Sequence, residues 1–188
     1  MSRWEPNPRG RLEQAALELF GERGFEQTTV EDIAKRAGLT KRTFFRHYSD
    51  KREALFGGAE ELKELFVTTL VSAPTSMVPI DAIAVSLAAA GAALQDRHEF
   101  ARRRQLVIAA NAELQERELV KLASIAAALA DTLRKRGVDE PAASLTAEAA
   151  MAVFKNAFER WVTAADQRDL PELIRESLEA LRAVAAGR

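Results

Sequence analysis

No cysteine occurs anywhere in the 188 residues. Structural disulfides, thiol catalysis and cysteine-bound zinc are excluded together. Six prolines and nine glycines are few for a chain of this length, and β-branched residues never gather into long runs. With alanine and leucine dominating instead, the composition favours helix throughout and predicts an all-α protein. Only two histidines are present, His47 and His98, far apart in sequence. No glycine-rich phosphate loop and no serine–histidine–acid pattern accompanies them, so an enzyme is not expected. Asp96, His98 and Glu99 do not share one helical face, so neither a metal nor a cofactor is expected. The longest nearly apolar run, Ala82 to Leu94, is 13 residues, against the roughly 20 that a membrane span needs. The opening "MSRWEPNPRG" lacks the apolar centre of a secretion signal. A soluble cytoplasmic protein without membrane contact is the expectation.

What is present is unevenly distributed. The net charge of −1 conceals a basic head and an acidic body: residues 1–52 carry 11 Lys/Arg against 8 Asp/Glu, whereas residues 53–188 carry 16 against 20. A head of this sign suits a polyanionic partner.

Along the head, Leu12, Ala16, Leu19 and Phe20 recur at helical spacing from Arg9 onward, and Gly21 and Gly24 mark the end. In "EQTTVEDIAKRAG" either Thr28 with Glu31 or Thr29 with Asp32 has the spacing of a capping box. Val30, Ile33, Ala34 and Ala37 form the apolar stripe of that second helix, and Gly38 stands where a left-handed residue would stop it. Thr40 caps a third helix, Lys41 to about His47. Two short helices joined around a glycine are a helix-turn-helix signature. Ser49 or Asp50 then caps a fourth helix, from about Lys51 towards Val71, softened at Gly57-Gly58.

Beyond the loop Ser72–Pro79, helices are predicted over Asp81–Gln95, His98–Ala110, Glu113–Arg136, Leu145–Ala165 and Leu170–Ala186, with breaks near Asn111 and over Gly137–Ser144.

The stretch "GLTKRTFFRHYSDK" combines charge with large rings. At about 100° per residue, Phe44 and Tyr48 share an inward face, while Lys41, Arg42, Thr43 and Arg46 fall largely elsewhere. The rings can hold the short helix to its support. The basic and hydroxyl side chains can meet phosphates and base edges in a DNA major groove, which admits one helix.

Residues 9–56, and within them "ALELFGERGF" and "TTVEDIAKRAGLTKRTFFRHYSDK", resemble the N-terminal domain of the TetR (tetracycline-repressor-like) family of transcription regulators. The resemblance covers about a quarter of the chain. It implies a three-helix helix-turn-helix DNA-binding domain over residues 1–52 and a helical ligand-binding and dimerisation domain over residues 53–188. It also implies that Thr29 and Thr40 touch phosphates, Thr40 while capping the recognition helix. Lys41, Arg42 and Thr43 face the groove, with Arg42 and Thr43 reading bases, and His47 and Lys51 contact the backbone. Phe45 stands where the family commonly has a tyrosine and is left with van der Waals contact to the sugar-phosphate. Tyr48 stands where phenylalanine is usual, its hydroxyl expected to reach solvent. Arg3, Arg9 and Arg11 form an N-terminal arm near the minor groove or phosphates, with a disordered tail the equal alternative for Arg3.

Family resemblance further implies a homodimer on double-stranded DNA with a palindromic operator, paired through the last two helices, and a cavity in the body for a small apolar effector of unidentified structure. Candidate wall residues are Phe66, Phe100, Leu106, Met151, Phe154, Phe158 and Trp161, with Asn111 and Asn156 as polar anchors; each also suits plain core or surface. A ligand-responsive repressor is the leading expectation. The alternative is a helical dimeric small-molecule sensor that acts through a protein partner and binds DNA weakly.

Overall fold

The computed structural model describes residues 7–164 and 168–187. Among them are nine α-helices, two single 3₁₀ turns and no strand, as the composition predicts. Arg3 and Ala165 lie outside the described residues. The chain divides into two compact units: residues 1–59 with 103–118, and residues 60–102 with 119–188.

In the first unit, α1 (Pro8–Arg23) starts on Asn7, whose side chain accepts from the Gly10 N–H at 2.8 Å. Its buried stripe is Leu12, Ala16, Leu19 and Phe20, widened by Ala15 and Leu17. Helix α2 (Val30–Arg36) uses the second of the two possible boxes: the Thr29 hydroxyl accepts from the Asp32 N–H at 3.1 Å, and Asp32 accepts from the Thr29 N–H at 3.1 Å. Thr28 is instead buried in the preceding turn, donating to the carbonyls of Gly24 and Leu19. Ile33, Ala34 and Ala37 are buried, but Val30 is only half-buried. Gly38 has φ 66°, a left-handed conformation that glycine adopts without strain. Helix α3 (Lys41–His47) follows, capped by Thr40.

After α3 the chain departs from the predicted continuous helix. Asp50 accepts from the backbone N–H groups of Arg52 and Glu53, at 2.8 and 3.2 Å, which starts only a 3₁₀ turn, Glu53–Leu55. Gly57-Gly58 then break the helix instead of softening it, and α4 (Ala59–Ser72) begins anew. Residues 103–118 complete the unit. Arg104 donates to the Leu55 carbonyl at 2.7 Å, pairs with Glu118 at 3.1 Å and lies 4.7 Å from the Phe56 ring centroid; Arg117 pairs with Glu53 at 2.5 Å.

In the second unit, α5 (Pro79–Leu94), α8 (Ala142–Thr163) and α9 (Leu170–Ala185) pack on one another. Gly91 allows the approach: a Cβ there would lie 2.7 Å from Ile174 Cδ1 and 3.3 Å from the Pro171 nitrogen. Helices α6 (His98–Ala109) and α7 (Ala112–Lys135) are separated at Asn111, whose side chain donates to the Val107 carbonyl at 2.7 Å. The division between the units falls inside both. Arg136 closes α4 by donating to the carbonyls of Leu70, Ala73 and Pro74, satisfying acceptors that a helix end leaves open.

Candidate nucleic-acid interface

Helix α3 is seven residues long, too short to be stable without tertiary support. Its support is aromatic. Phe44 is fully buried and Tyr48 is 5% exposed, with ring centroids 5.6 Å apart. The Tyr48 hydroxyl does not reach solvent, as the sequence suggested it would. It donates to Glu13 at 2.9 Å and accepts from Arg9 Nε at 3.3 Å, so it ties the end of α3 to α1. Burial, with the Glu13 charge beside it, pushes this hydroxyl above the usual tyrosine range and keeps it protonated. Arg9 is thereby engaged within the fold, and Arg11 donates to the Ala37 carbonyl at the end of α2. Neither extends away as an arm.

Three cations of α3 stand open to solvent. Lys41, Arg42 and Arg46 are exposed, and among the described residues none of the three side chains has a hydrogen-bond or ion-pair partner. Most other cations of this unit are engaged. Arg36 holds Glu22 at 2.8 Å and Glu18 at 3.3 Å, Arg23 lies 3.5 Å from Asp32, and Arg52 holds Asp50 at 2.8 Å. Hydrogen bonds from Arg36 lower the Glu22 carboxyl below its usual range, and hydrogen bonds from Arg52 do the same for Asp50. Uncompensated positive charge is therefore concentrated on α3.

Three of the expected contact residues have local tasks as well. Thr40 Oγ1 accepts from the Thr43 N–H at 3.1 Å and shares a hydrogen bond with the Thr43 hydroxyl at 2.9 Å. Each hydroxyl offers one donor and two acceptor sites, so the pair keeps capacity for an outside partner. Thr29 donates its hydroxyl to Asp32 at 2.7 Å, a bond that lowers the Asp32 carboxyl. Phe45 is half exposed, at 50%, and its ring stands edge-on to Phe44 at 5.6 Å. It is an apolar side chain held on the outer side, where the sequence placed it.

Two expected backbone contacts sit differently. His47 is half-buried, and its Nε2 is enclosed without a hydrogen-bond partner among the described residues, so that atom is not presented to a phosphate. The Lys51 ammonium points inward, donating to the carbonyls of Phe25, Thr28 and Glu26 at 2.8, 3.2 and 3.4 Å. Arg46, to which the family resemblance gives no contact, points outward as the helical wheel predicts: it lies beside Arg42, opposite Phe44 and Tyr48.

The residues expected to wall an effector cavity divide. Phe66, Met151, Phe154 and Trp161 are buried in the core of the second unit, with Phe158 packed against it. Their rings form a row: Phe66–Phe154 at 5.4 Å, Phe154–Phe158 at 6.0 Å and Phe158–Trp161 at 5.7 Å. His98 extends it, edge-on to Trp161 at 4.8 Å with Nε2 3.0 Å from the Trp161 carbonyl. Phe100 is half-buried under the Arg97 guanidinium at 4.6 Å. Leu106 does not belong with them. It is 63% exposed and lies in the first unit, because its position on α6 faces away from the buried Val107 and Ile108. Asn111 caps α6, and Asn156 is an exposed residue that accepts from the Ser177 hydroxyl at 3.1 Å.

An all-α fold whose short capped α3 turns its cations outward defines a helix-turn-helix protein. The family profile described as "Bacterial regulatory proteins, tetR family" matches residues 13–57. The profile described as "MftR C-terminal domain" matches residues 77–186, more than half of the chain. The chain belongs to the tetR family of bacterial regulatory proteins, with a C-terminal domain of the MftR type.

Among curated relatives, it is 39% identical over 75 residues to the HTH-type transcriptional regulator TcmR of Streptomyces glaucescens, a match covering 40% of this chain and 33% of TcmR. The aligned stretch thus spans a third of that relative. Two solved structures are similar along nearly the whole length. FadR from Bacillus subtilis in complex with stearoyl-CoA is 22% identical with a TM-score of 0.63, covering 92% of this chain and 96% of that one. Thermus thermophilus FadR, a TetR-family repressor in complex with lauroyl-CoA, is 26% identical with a TM-score of 0.51, covering 93% of each. No helix among the described residues is long and apolar enough to cross a membrane.

Proposed function

We propose that this regulator is a cytoplasmic, ligand-responsive repressor that binds a palindromic DNA operator as a homodimer. The observation that carries the DNA reading is the state of α3: three exposed cations without partners among the described residues, on a helix held by two buried aromatic rings. Arg42 takes the two acceptors of a guanine edge and Thr43 a neighbouring base edge or thymine methyl. Lys41 and Arg46 meet phosphates, Thr29 and Thr40 add polar contacts, and Phe45 packs on the sugar-phosphate. One such helix reads few base pairs, so two copies and two half-sites about 34–36 Å apart, or a multiple of this, extend the reading. DNA recognition is assigned to residues 1–52, and effector binding and pairing to residues 53–188, with α8 and α9 as the pairing helices.

For the effector we favour a small apolar compound received near the ring row of Phe66, Phe154, Phe158 and Trp161. An acyl thioester is the first class to try, since the Thermus thermophilus relative is in complex with lauroyl-CoA. Such a ligand acts only by binding one state of the protein better than the other.

The test is retardation of the DNA that surrounds the protein's own gene. Salt-sensitive, sequence-specific retardation is expected, released by an effector that also raises the melting temperature. Absence of retardation even at low salt would instead favour a sensor that acts through a protein partner.

A further inference from the structure

We propose that Lys51 is a positioning residue for DNA recognition: it clamps the α1–α2 turn to the end of α3 and is not itself a phosphate ligand. The proposal rests on the DNA-binding reading of α3 but concerns a residue that the family resemblance would put on the DNA backbone.

A lysine ammonium has three N–H donors and no acceptor. Here the three available carbonyls are those of Phe25, Thr28 and Glu26, at 2.8, 3.2 and 3.4 Å. The same ammonium lies 4.2 Å from the centroid of the Phe25 ring, within reach of a cation–π attraction. Its hydrogen-bonding capacity is thus directed into a single turn. Turning it out to a phosphate would remove a donor from three carbonyls, of which that of Phe25 keeps the Thr28 N–H at 3.3 Å, and a polar group left unpaired in a partly buried site is costly.

The position of the clamp gives it a role in recognition. The turn it holds runs directly into Thr29, the cap of α2, while Lys51 itself lies three residues past Tyr48, the C-terminal cap of α3. From its other side the turn is fixed by the buried Thr28 hydroxyl, bonded to the Gly24 carbonyl at 2.9 Å and the Leu19 carbonyl at 3.3 Å. Lys51 therefore joins two stretches of chain 23 to 26 residues apart and sets the spacing between Thr29 and the recognition helix. Lys41, Arg42 and Arg46 have no such internal bonds. Their contribution to affinity depends on salt through displaced counterions; that of Lys51, whose charge does not meet the DNA, does not.

Wild type, Lys51→Met and Lys51→Arg are compared on one operator fragment from about 50 to 200 mM salt, at a temperature where circular dichroism shows each folded. Lys51→Met is expected to bind about tenfold more weakly at every salt concentration, with an unchanged slope of log K against log salt, and Lys51→Arg to recover most of the loss. A slope reduced by about 0.9 per subunit would make Lys51 a phosphate ligand and overturn the proposal. Unchanged affinity with only a lower melting temperature would make it merely structural and overturn it equally. Amide exchange in the DNA-free protein supplies an independent reading: Lys51→Met should speed exchange over residues 25–32, and wild-type protection there would contradict the clamp. Lys51→Gln replaces the Met variant if that fails to fold. Failure of the wild type to bind any DNA would count against the DNA-binding reading, while the exchange result would still decide the clamp.

Discussion

On α3, Arg42 and Arg46 stand in solvent without a carboxylate partner. Around α8 and α9 the arginines close onto acids: Arg160 holds Glu176 at 2.8 Å, Arg168 holds Glu176 and lies 3.5 Å from Glu172, and Arg182 holds Asp81. The residue type is the same; the difference is what lies within reach. Paired surface arginines cancel charge and add little stability. Unpaired ones on a helix anchored by buried rings leave a local positive field, which is what a polyanion senses. The contrast supports the proposed assignment of recognition to α3 more sharply than net charge can.

The largest expected effect removes the anchor and leaves the cations. Phe44→Ala should cost about 3–5 kcal/mol because the ring is fully buried; denaturant unfolding should show it, together with loss of DNA binding. A cost below about 1 kcal/mol would mean that α3 is not held by its rings. In the second unit, Gly91→Val should destabilise by about 1–3 kcal/mol through overpacking, because Ile174 and Pro171 already occupy the space, but should leave the operator preference of the folded protein intact. Arg42→Ala should cost about 1–3 kcal/mol of DNA affinity and relax the preference at one base position per half-site. A loss uniform across all sequences would remove its base-reading role.

The smallest effect is on the paired side. Hydrogen bonds from Arg168 and then Arg160 hold the Glu176 carboxyl down at about 2. The folded state thus binds this proton less readily than the unfolded chain does. The stabilisation from this group is present above about 4.5, its ordinary value, and is lost as pH falls towards about 2. Melting temperatures between pH 5 and pH 2 should therefore fall less steeply in Glu176→Gln than in the wild type; equal slopes would mean that the pairing does not bear on folding.

Much of this contrast was legible in the sequence. The bounds of α3, its Thr40 cap, the left-handed Gly38 and the inward Phe44 all follow from local rules: periodicity, capping and glycine conformation act within a few residues. Those rules also brought the α2 cap down to two choices, and burial of Thr28 decided between them. What escaped depends on distant chain. The Tyr48 hydroxyl is satisfied by Glu13, 35 residues away, and the Lys51 ammonium by the Phe25 carbonyl, 26 away; neither partner has a sequence signal. Leu106 was misassigned because an isolated leucine on a helix has no mark of which side faces solvent. The predicted continuous helix after Lys51 broke because Asp50 caps only a short turn and two glycines follow.

Salt dependence in a Lys41→Ala/Arg46→Ala double variant tests most directly whether α3 meets DNA through its unpaired cations. The slope of log K against log salt should become shallower by about 1.8 per subunit, roughly 0.9 for each phosphate contact removed. A slope identical to that of the wild type would contradict the account.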